Sequence, residues 1–350
     1  MKMHAAVLHG ARDMRYEEVD KPSPGRGEVL VKVESVGLCG TDLEMYNGTM
    51  PYFVLGMASF PIILGHEWAG VIEAVGDSVK NKKSGDRVVG DVSNGCGICE
   101  YCMRGLYNLC IDRQEVGLTN GKNGAYAQYV AVPEQYTYIL PEEVPFDVGA
   151  MTESTATVVK SIHKCPVKLG DRVLVQGDGP IGLLAMQAAV AAGSSYTFLS
   201  GTVDMKLEIG AKLGASRVVN IRKEDLAEVI GKETDGEGVD NVIEASGNPE
   251  AYRRAVELVK QGGWVNAIGL YEKNVDNLNI GGMVARDVSV IGSIASPNAY
   301  RETIRLFRAG KINPRPLISH TLPLKEIDEG MRILGEETET RLKIVMKPWS

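Results

Sequence analysis

Cysteine is scarce, six residues in 350, and that excludes a small secreted scaffold held by disulfides, which needs cysteine far more densely. Long apolar runs are missing too. The longest, Leu183 to Gly193 with Gln187 inside it, is too short for a bilayer core that takes about 20 apolar residues. The opening segment MKMHAAVLHGARDMRYEEVD holds a short apolar run soon followed by charges, which fits neither a secretory signal nor a spanning helix. No membrane partner is expected, and a cytoplasmic, reducing location is. Clustered Lys and Arg are also missing: 38 basic against 45 acidic residues give a net charge of −7. Without a basic stripe to release counterions from phosphates, nucleic acid is not an expected partner. Repeats and low-complexity segments are absent from the sequence.

What is present is an ordinary globular composition, 44% hydrophobic and 24% charged, in a chain long enough for two domains of ~100 to 200 residues. Glycine is in excess, 40 residues, against a usual ~7%. Through residue 150 or so, short alternating runs such as GEVLVKVESVG and YAQYVAV stand between Gly, Pro and Asn punctuation, a β-rich pattern. From about Asp171 apolar runs of strand length alternate with helical stretches, as in a doubly wound parallel sheet. Strands are expected near Arg172–Gln176, Tyr196–Leu199, Arg217–Val219, Val239–Ala245, Trp264–Ile268 and Val288–Ile291. Helices are expected at Ile181–Ala192, Met205–Leu213, Pro249–Val259 and Asn298–Ala309, and the closing RLKIVMKP reads as a strand. The expected fold class is α/β, a β-rich domain joined to a Rossmann-type one.

Four cysteines, Cys96, Cys99, Cys102 and Cys110, have the spacing CxxCxxCx7C. Two-residue gaps let successive thiolates converge from a tight loop, and four thiolates match the closed tetrahedral shell of structural zinc. An iron–sulfur cluster is the alternative, but its fourth cysteine is normally followed by Pro, where this chain has Ile111. Ordinary buried cysteines are the remaining possibility. A second, dispersed set consists of Cys39, His66, Glu67 and Glu153. Thiolate, imidazole and carboxylate make a three-ligand shell with one position open, as a catalytic zinc requires. Asp42 is the candidate to accept from the other ring nitrogen of His66. Taken singly, each residue also fits a structural role.

At the first strand-to-helix junction of the parallel region stands Gly177-Asp-Gly179-Pro180-Ile181-Gly182, a GxGxxG after an apolar strand and before an apolar helix. In that context Gly177 permits the tight turn, Gly179 lets the backbone approach a pyrophosphate, and Gly182 allows close helix–strand packing. The helix N-terminus then offers free N–H groups to the anion. An NAD site usually has an acid at the end of the next strand, and here that end reads Ser200-Gly201-Thr202. Gly201, Thr202 as donor and Lys206 as a nearby cation favour NADP, with NAD or dual use as the alternative; Asp204 opposes that preference.

Taken together, GEVLVKVESVGLCGTD, ILGHEWAGVIEAVG, GDRVVGD before the four-cysteine loop, and GDGPIGLLAMQAA resemble the zinc-dependent medium-chain dehydrogenase/reductase family, in its sorbitol and threonine dehydrogenase branch. The resemblance implies a GroES-like catalytic domain (1–153), a Rossmann domain (154–295) and a C-terminal return to the catalytic domain (296–350). It implies catalytic zinc on Cys39, His66 and either Glu67 or Glu153, and structural zinc on Cys96, Cys99, Cys102 and Cys110. Thr41 matches the hydroxyl that touches the substrate oxygen and takes its proton. Glu44 stands where many relatives have a relay histidine, and its ordinary pKa near ~4.3 lies below that of His. The implied reaction passes hydride between an alcohol and nicotinamide. A polyol, sugar or cyclitol secondary alcohol is expected first, then threonine-like amino alcohols or simple secondary alcohols. The segment Tyr46–Phe60 is the expected pocket wall, with Trp68 either part of that wall or core. A homo-oligomer, dimer or tetramer, is expected. A metal-free reductase is opposed by the retained ligands; a non-catalytic nucleotide-sensing zinc protein is the alternative of another class.

Overall fold

The computed structural model of the chain describes every residue except Glu272. It forms two compact units, residues 1–156 with 295–308 and 318–350, and residues 157–294 with 309–317.

The first unit is built on the strand Glu28–Leu38, which pairs antiparallel with Glu67–Val75, Tyr129–Pro133 and Lys343–Lys347. Its sequence EVLVKVESVGL buries Val29, Val31, Val33 and Val36 completely. At about 1.5–3 kcal/mol for each fully buried aliphatic side chain, the strand cannot slip one residue without exposing that set. Trp68 is core rather than pocket wall. It is 1% exposed, and its ring lies so close to Gly90 that a Cβ there would come within 2.0 Å of it. The closing strand, legible as RLKIVMKP, also pairs parallel with Ile318–Pro323.

The second unit is a six-stranded, all-parallel sheet of β1 (Arg172–Gln176), β2 (Tyr196–Gly201), β3 (Arg217–Asn220), β4 (Val239–Glu244), β5 (Val259–Ala267) and β6 (Ser289–Gly292). The spatial order 3-2-1-4-5-6 is that of a doubly wound dinucleotide fold. Between β1 and β2 runs helix α1 (Pro180–Ala192), whose residues Gly182 to Ala189 are all buried. A crossover helix apolar on nearly every side belongs in the interior. It stops at Gly193, in the left-handed region at φ 104°. The helix α2 (Asp204–Lys212) follows β2.

One boundary departs from expectation. The C-terminal return is not continuous over 296–350, because residues 309–317 pack with the parallel-sheet unit. There the Asn313 N–H donates to Gln187 Oε1 at 2.7 Å and Ile312 is buried. Gln187, the polar residue inside the apolar run of α1, thereby gains a partner for its buried side-chain oxygen.

Candidate active site and dinucleotide cleft

Strand pairing brings the dispersed ligands together. Cys39 follows the strand Glu28–Leu38 and precedes the helix Gly40–Asn47; His66 immediately precedes the strand Glu67–Val75. The register sets Gly37 opposite Glu67. A Cβ at Gly37 would lie 2.4 Å from Glu67 Oε2, so only glycine leaves the carboxylate room. One ligand atom from each of Cys39, His66 and Glu67 then lies within 4.8 Å of the others. Glu153 is not in that group. It lies buried near the start of helix Thr152–Lys164, and burial pushes its carboxyl up to about 7 against the opposing influence of His66.

Asp42 occupies the supporting position. Its Oδ1 stands 3.2 Å from His66 Nδ1, an ion pair without hydrogen-bond alignment, while Oδ2 accepts from the Tyr126 hydroxyl at 2.8 Å and the Cys39 N–H at 3.0 Å. Burial disfavours a charged His66, but the adjacent carboxylate of Asp42 outweighs it and raises the imidazole well above its ordinary range. With Asp42 at Nδ1, Nε2 is the nitrogen left for a metal. Thiolate, imidazole and carboxylate are a donor set that suits zinc. Thr41 and Glu44 are three residues apart on the helix Gly40–Asn47, hence on one face of it.

Sequence reasoning missed Lys343. Its Nζ lies 2.6 and 2.8 Å from the two oxygens of Glu67 and also donates to the Leu38 carbonyl at 3.2 Å. Burial opposes the ammonium charge, but Glu67 outweighs burial and raises the Lys343 pKa. The Lys343 ammonium thus balances the Glu67 carboxylate. The available signal was a lysine at the head of an apolar run, KIVM, in a strand whose two faces are both covered.

The four-cysteine loop closes on itself. Cys99 caps the helix Glu100–Met103, the Cys96 N–H donates to Cys110 Sγ at 3.4 Å, and all four sulfurs lie within 4.8 Å of one another. The backbone N–H groups of Ile98 and Cys99 lower the Cys96 pKa to about 7, whereas burial pushes the Cys102 thiol up to about 12 and raises that of Cys110. The four-thiolate shell fits structural zinc. Tyr107 anchors the loop: its hydroxyl donates to the buried Asp91 at 2.6 Å and accepts from the Asn298 N–H at 3.0 Å.

The expected pocket segment is partly committed to its own packing. Phe53 and Phe60 stack at 4.5 Å, Asn47 Oδ1 accepts from Arg12 Nε, Met50 is buried, and Leu55 is exposed.

In the second unit the glycines do what their spacing requires. Gly177 sits at φ 119°, a Cβ at Gly182 would lie 1.9 Å from the Gly177 carbonyl oxygen, and Gly179 has open space above it. Pro180 and Ile181 begin α1, whose free N–H groups face that space. A cleft of about 280 Å³ follows, lined among others by Gly177, Asp178, Gly201, Thr202 and Arg254. This cradle fits a dinucleotide. Lys206, expected as a cation for a 2′-phosphate, is instead 6% exposed in α2 and does not line the cleft. A carboxylate from the glycine turn stands beside the end of β2: Asp178 Oδ2 accepts the N–H groups of Thr202 at 2.7 Å and Val203 at 2.8 Å. Of the residues expected to favour NADP, Gly201 and Thr202 line the cleft and Lys206 does not.

Comparison with known proteins agrees with this geometry. Residues 25–142 match the family model of the alcohol dehydrogenase GroES-like domain, and residues 180–309 that of the zinc-binding dehydrogenases. Sorbitol dehydrogenase of Bacillus subtilis is 33% identical over 99% of this chain and 97% of its own. L-threonine 3-dehydrogenase of Symbiobacterium thermophilum is 32% identical over 94% of this chain and 93% of its own. The fold matches a zinc-binding dehydrogenase of Sinorhizobium meliloti bound to NADP with a TM-score of 0.92, at 29% identity over 99% of this chain and 100% of that one. With both family domains present in order and relatives aligned along nearly its whole length, the chain belongs to the zinc-dependent medium-chain dehydrogenase family.

Proposed function

We propose that this enzyme interconverts a secondary alcohol of the polyol, sugar or cyclitol class and its ketone, with a nicotinamide dinucleotide as hydride partner. The observation that carries the reading is the convergence of Cys39, His66 and Glu67, with Asp42 holding the imidazole, in a chain that also builds a dinucleotide cradle. Zinc held by Cys39, His66 and a glutamate would supply Lewis-acid polarisation of the substrate oxygen, and the dinucleotide the hydride acceptor. The chain's own residues do the rest. Asp42 supports His66, Lys343 balances the charge of Glu67, the Thr41 hydroxyl would receive the substrate proton, and Glu44, one helical turn on, would pass it outward.

The third ligand is Glu67 or Glu153: Glu67 lies with Cys39 and His66 and keeps acceptor capacity beside Lys343, while Glu153 is the second buried carboxylate. The sorbitol relative supports a polyol; the threonine dehydrogenase relative keeps an amino alcohol as the second reading. The test is an oxidation screen over polyols, aldoses, inositols, threonine and 2-alkanols, run beside metal analysis on wild type and Cys39→Ala. Two zinc ions per wild-type chain, turnover on a polyol-type alcohol, and an inactive variant that still binds dinucleotide are expected. Near wild-type turnover in Cys39→Ala, or one zinc per chain in active enzyme, would refute the catalytic zinc.

A further inference from the structure

We propose that Asp178, the residue inside the glycine turn, makes this enzyme select NAD over NADP. The inference rests on the dinucleotide-dependent reading above and concerns only which dinucleotide is taken.

In the usual arrangement the acid that accepts from the adenosine ribose stands at the end of the second strand. Here that position carries Gly201, and the parallel register of β1 with β2, Gln176 opposite Ser200, brings Asp178 alongside Thr202. The fit is close and specific. A Cβ at Gly201 would lie 2.4 Å from Asp178 Oδ2, so the glycine at the end of β2 is what admits the carboxylate. Once there, Oδ2 accepts from both Thr202 and Val203 N–H. A carboxylate offers roughly four acceptor sites on its two oxygens, so capacity remains for ribose hydroxyls, which are donors.

A 2′-phosphate meets the opposite situation. Consecutive backbone N–H groups at such a turn form an anion site, but these two are already taken by Asp178. A phosphate monoester brings a further charge of about −1.5 to −2 at neutral pH, directly against a carboxylate. The remaining charged side chains lining the cleft do not compensate. Glu250 adds a second acid, and Arg254 is paired with Glu250 at 3.1 Å. In the segment after β3, Lys223 is paired with Asp204 at 2.5 Å.

The experiment is equilibrium binding of NADH and NADPH to the zinc-loaded protein, followed by nicotinamide fluorescence, on wild type, Asp178→Asn and Asp178→Ser. Asparagine keeps an acceptor for the Thr202 and Val203 amides and removes the charge; serine removes the charge and, being shorter, withdraws its hydroxyl acceptor from the two amides. The expected result is at least tenfold tighter NADH than NADPH in wild type. The ratio falls at least tenfold in Asp178→Asn, and further in Asp178→Ser as the two amides are released. Thermal melting confirms that each variant is folded. Equal or tighter NADPH binding by wild type overturns the proposal, as does an unchanged ratio in both folded variants. Failure to bind either nucleotide would overturn the dehydrogenase reading itself, a separate outcome from binding both without discrimination.

Discussion

Replacing Lys343 with methionine would leave the Glu67 carboxylate charged, buried and without its counter-ion. In the native chain the two side chains are 5% and 0% exposed and 2.6 Å apart. Their gross attraction at an effective dielectric of about 20 is roughly 6 kcal/mol, most of it offset by the cost of taking both charges out of water. Removing one partner forfeits the attraction but keeps the desolvation of the other, so the expected loss is about 3–5 kcal/mol. Against a total stability of about 5–15 kcal/mol, that is a large fraction. The assay is urea unfolding of chelator-treated protein for wild type, Lys343→Met, Glu67→Gln and the double variant. Because Lys343→Met and Glu67→Gln together remove both charges, the double variant should recover about 2 kcal/mol or more relative to Lys343→Met alone. Zinc loading should shrink the cost of Lys343→Met, since a metal cation beside Cys39 and His66 substitutes for the ammonium. A loss under about 1 kcal/mol in Lys343→Met, or strictly additive single effects, would refute the claim that Lys343 is the counter-ion of Glu67.

Two further perturbations test other parts of the structure. Gly182→Ala puts a methyl group 1.9 Å from the Gly177 carbonyl oxygen, which must push α1 off β1; dinucleotide affinity should fall at least tenfold while the zinc content is unchanged, and retained affinity would show the packing to be looser than described. Burial raises the Asp91 pKa to about 7, against about 3.9 unfolded. The folded state then holds a proton that the unfolded state has lost, so this residue makes stability fall as pH rises from about 4 to 7. Asp91→Asn, which still accepts from Tyr107, should remove that part of the pH slope in melting temperature. Parallel wild-type and variant profiles would contradict it.

Much of the chemistry was readable because it is local. The four cysteines span 15 residues of one loop, and GxGxxG acts within a single strand–turn–helix, so spacing alone specifies both. The parallel strands were likewise visible as short apolar runs, and their expected positions differ from the observed ones mainly by a few residues at the ends. The helix Leu226–Glu233 went unread, although Asp225 caps it by accepting from the N–H groups of Ala227 and Glu228, and Leu226 and Ile230 recur at helical spacing. Its eight residues are a short signal between two strands.

Cys39 and His66 show the limit of pattern alone. Each has an unremarkable structural explanation, and only the pairing of Gly37 with Glu67 makes them neighbours. By itself the sequence determined the alternation of strands and helices, the four-thiolate loop and the dinucleotide turn, because these depend on side chains a few residues apart. Only the tertiary structure decided what stands beside them. Lys343 reaches Glu67, 276 positions away in the sequence, and Asp178 reaches Thr202, 24 positions away. In both cases strand register, set by burial of whole apolar faces, delivers a charge to a place its sequence neighbours do not mark. One delivered charge balances the buried carboxylate of Glu67, and the other puts a carboxylate beside the end of β2, where the sequence has none.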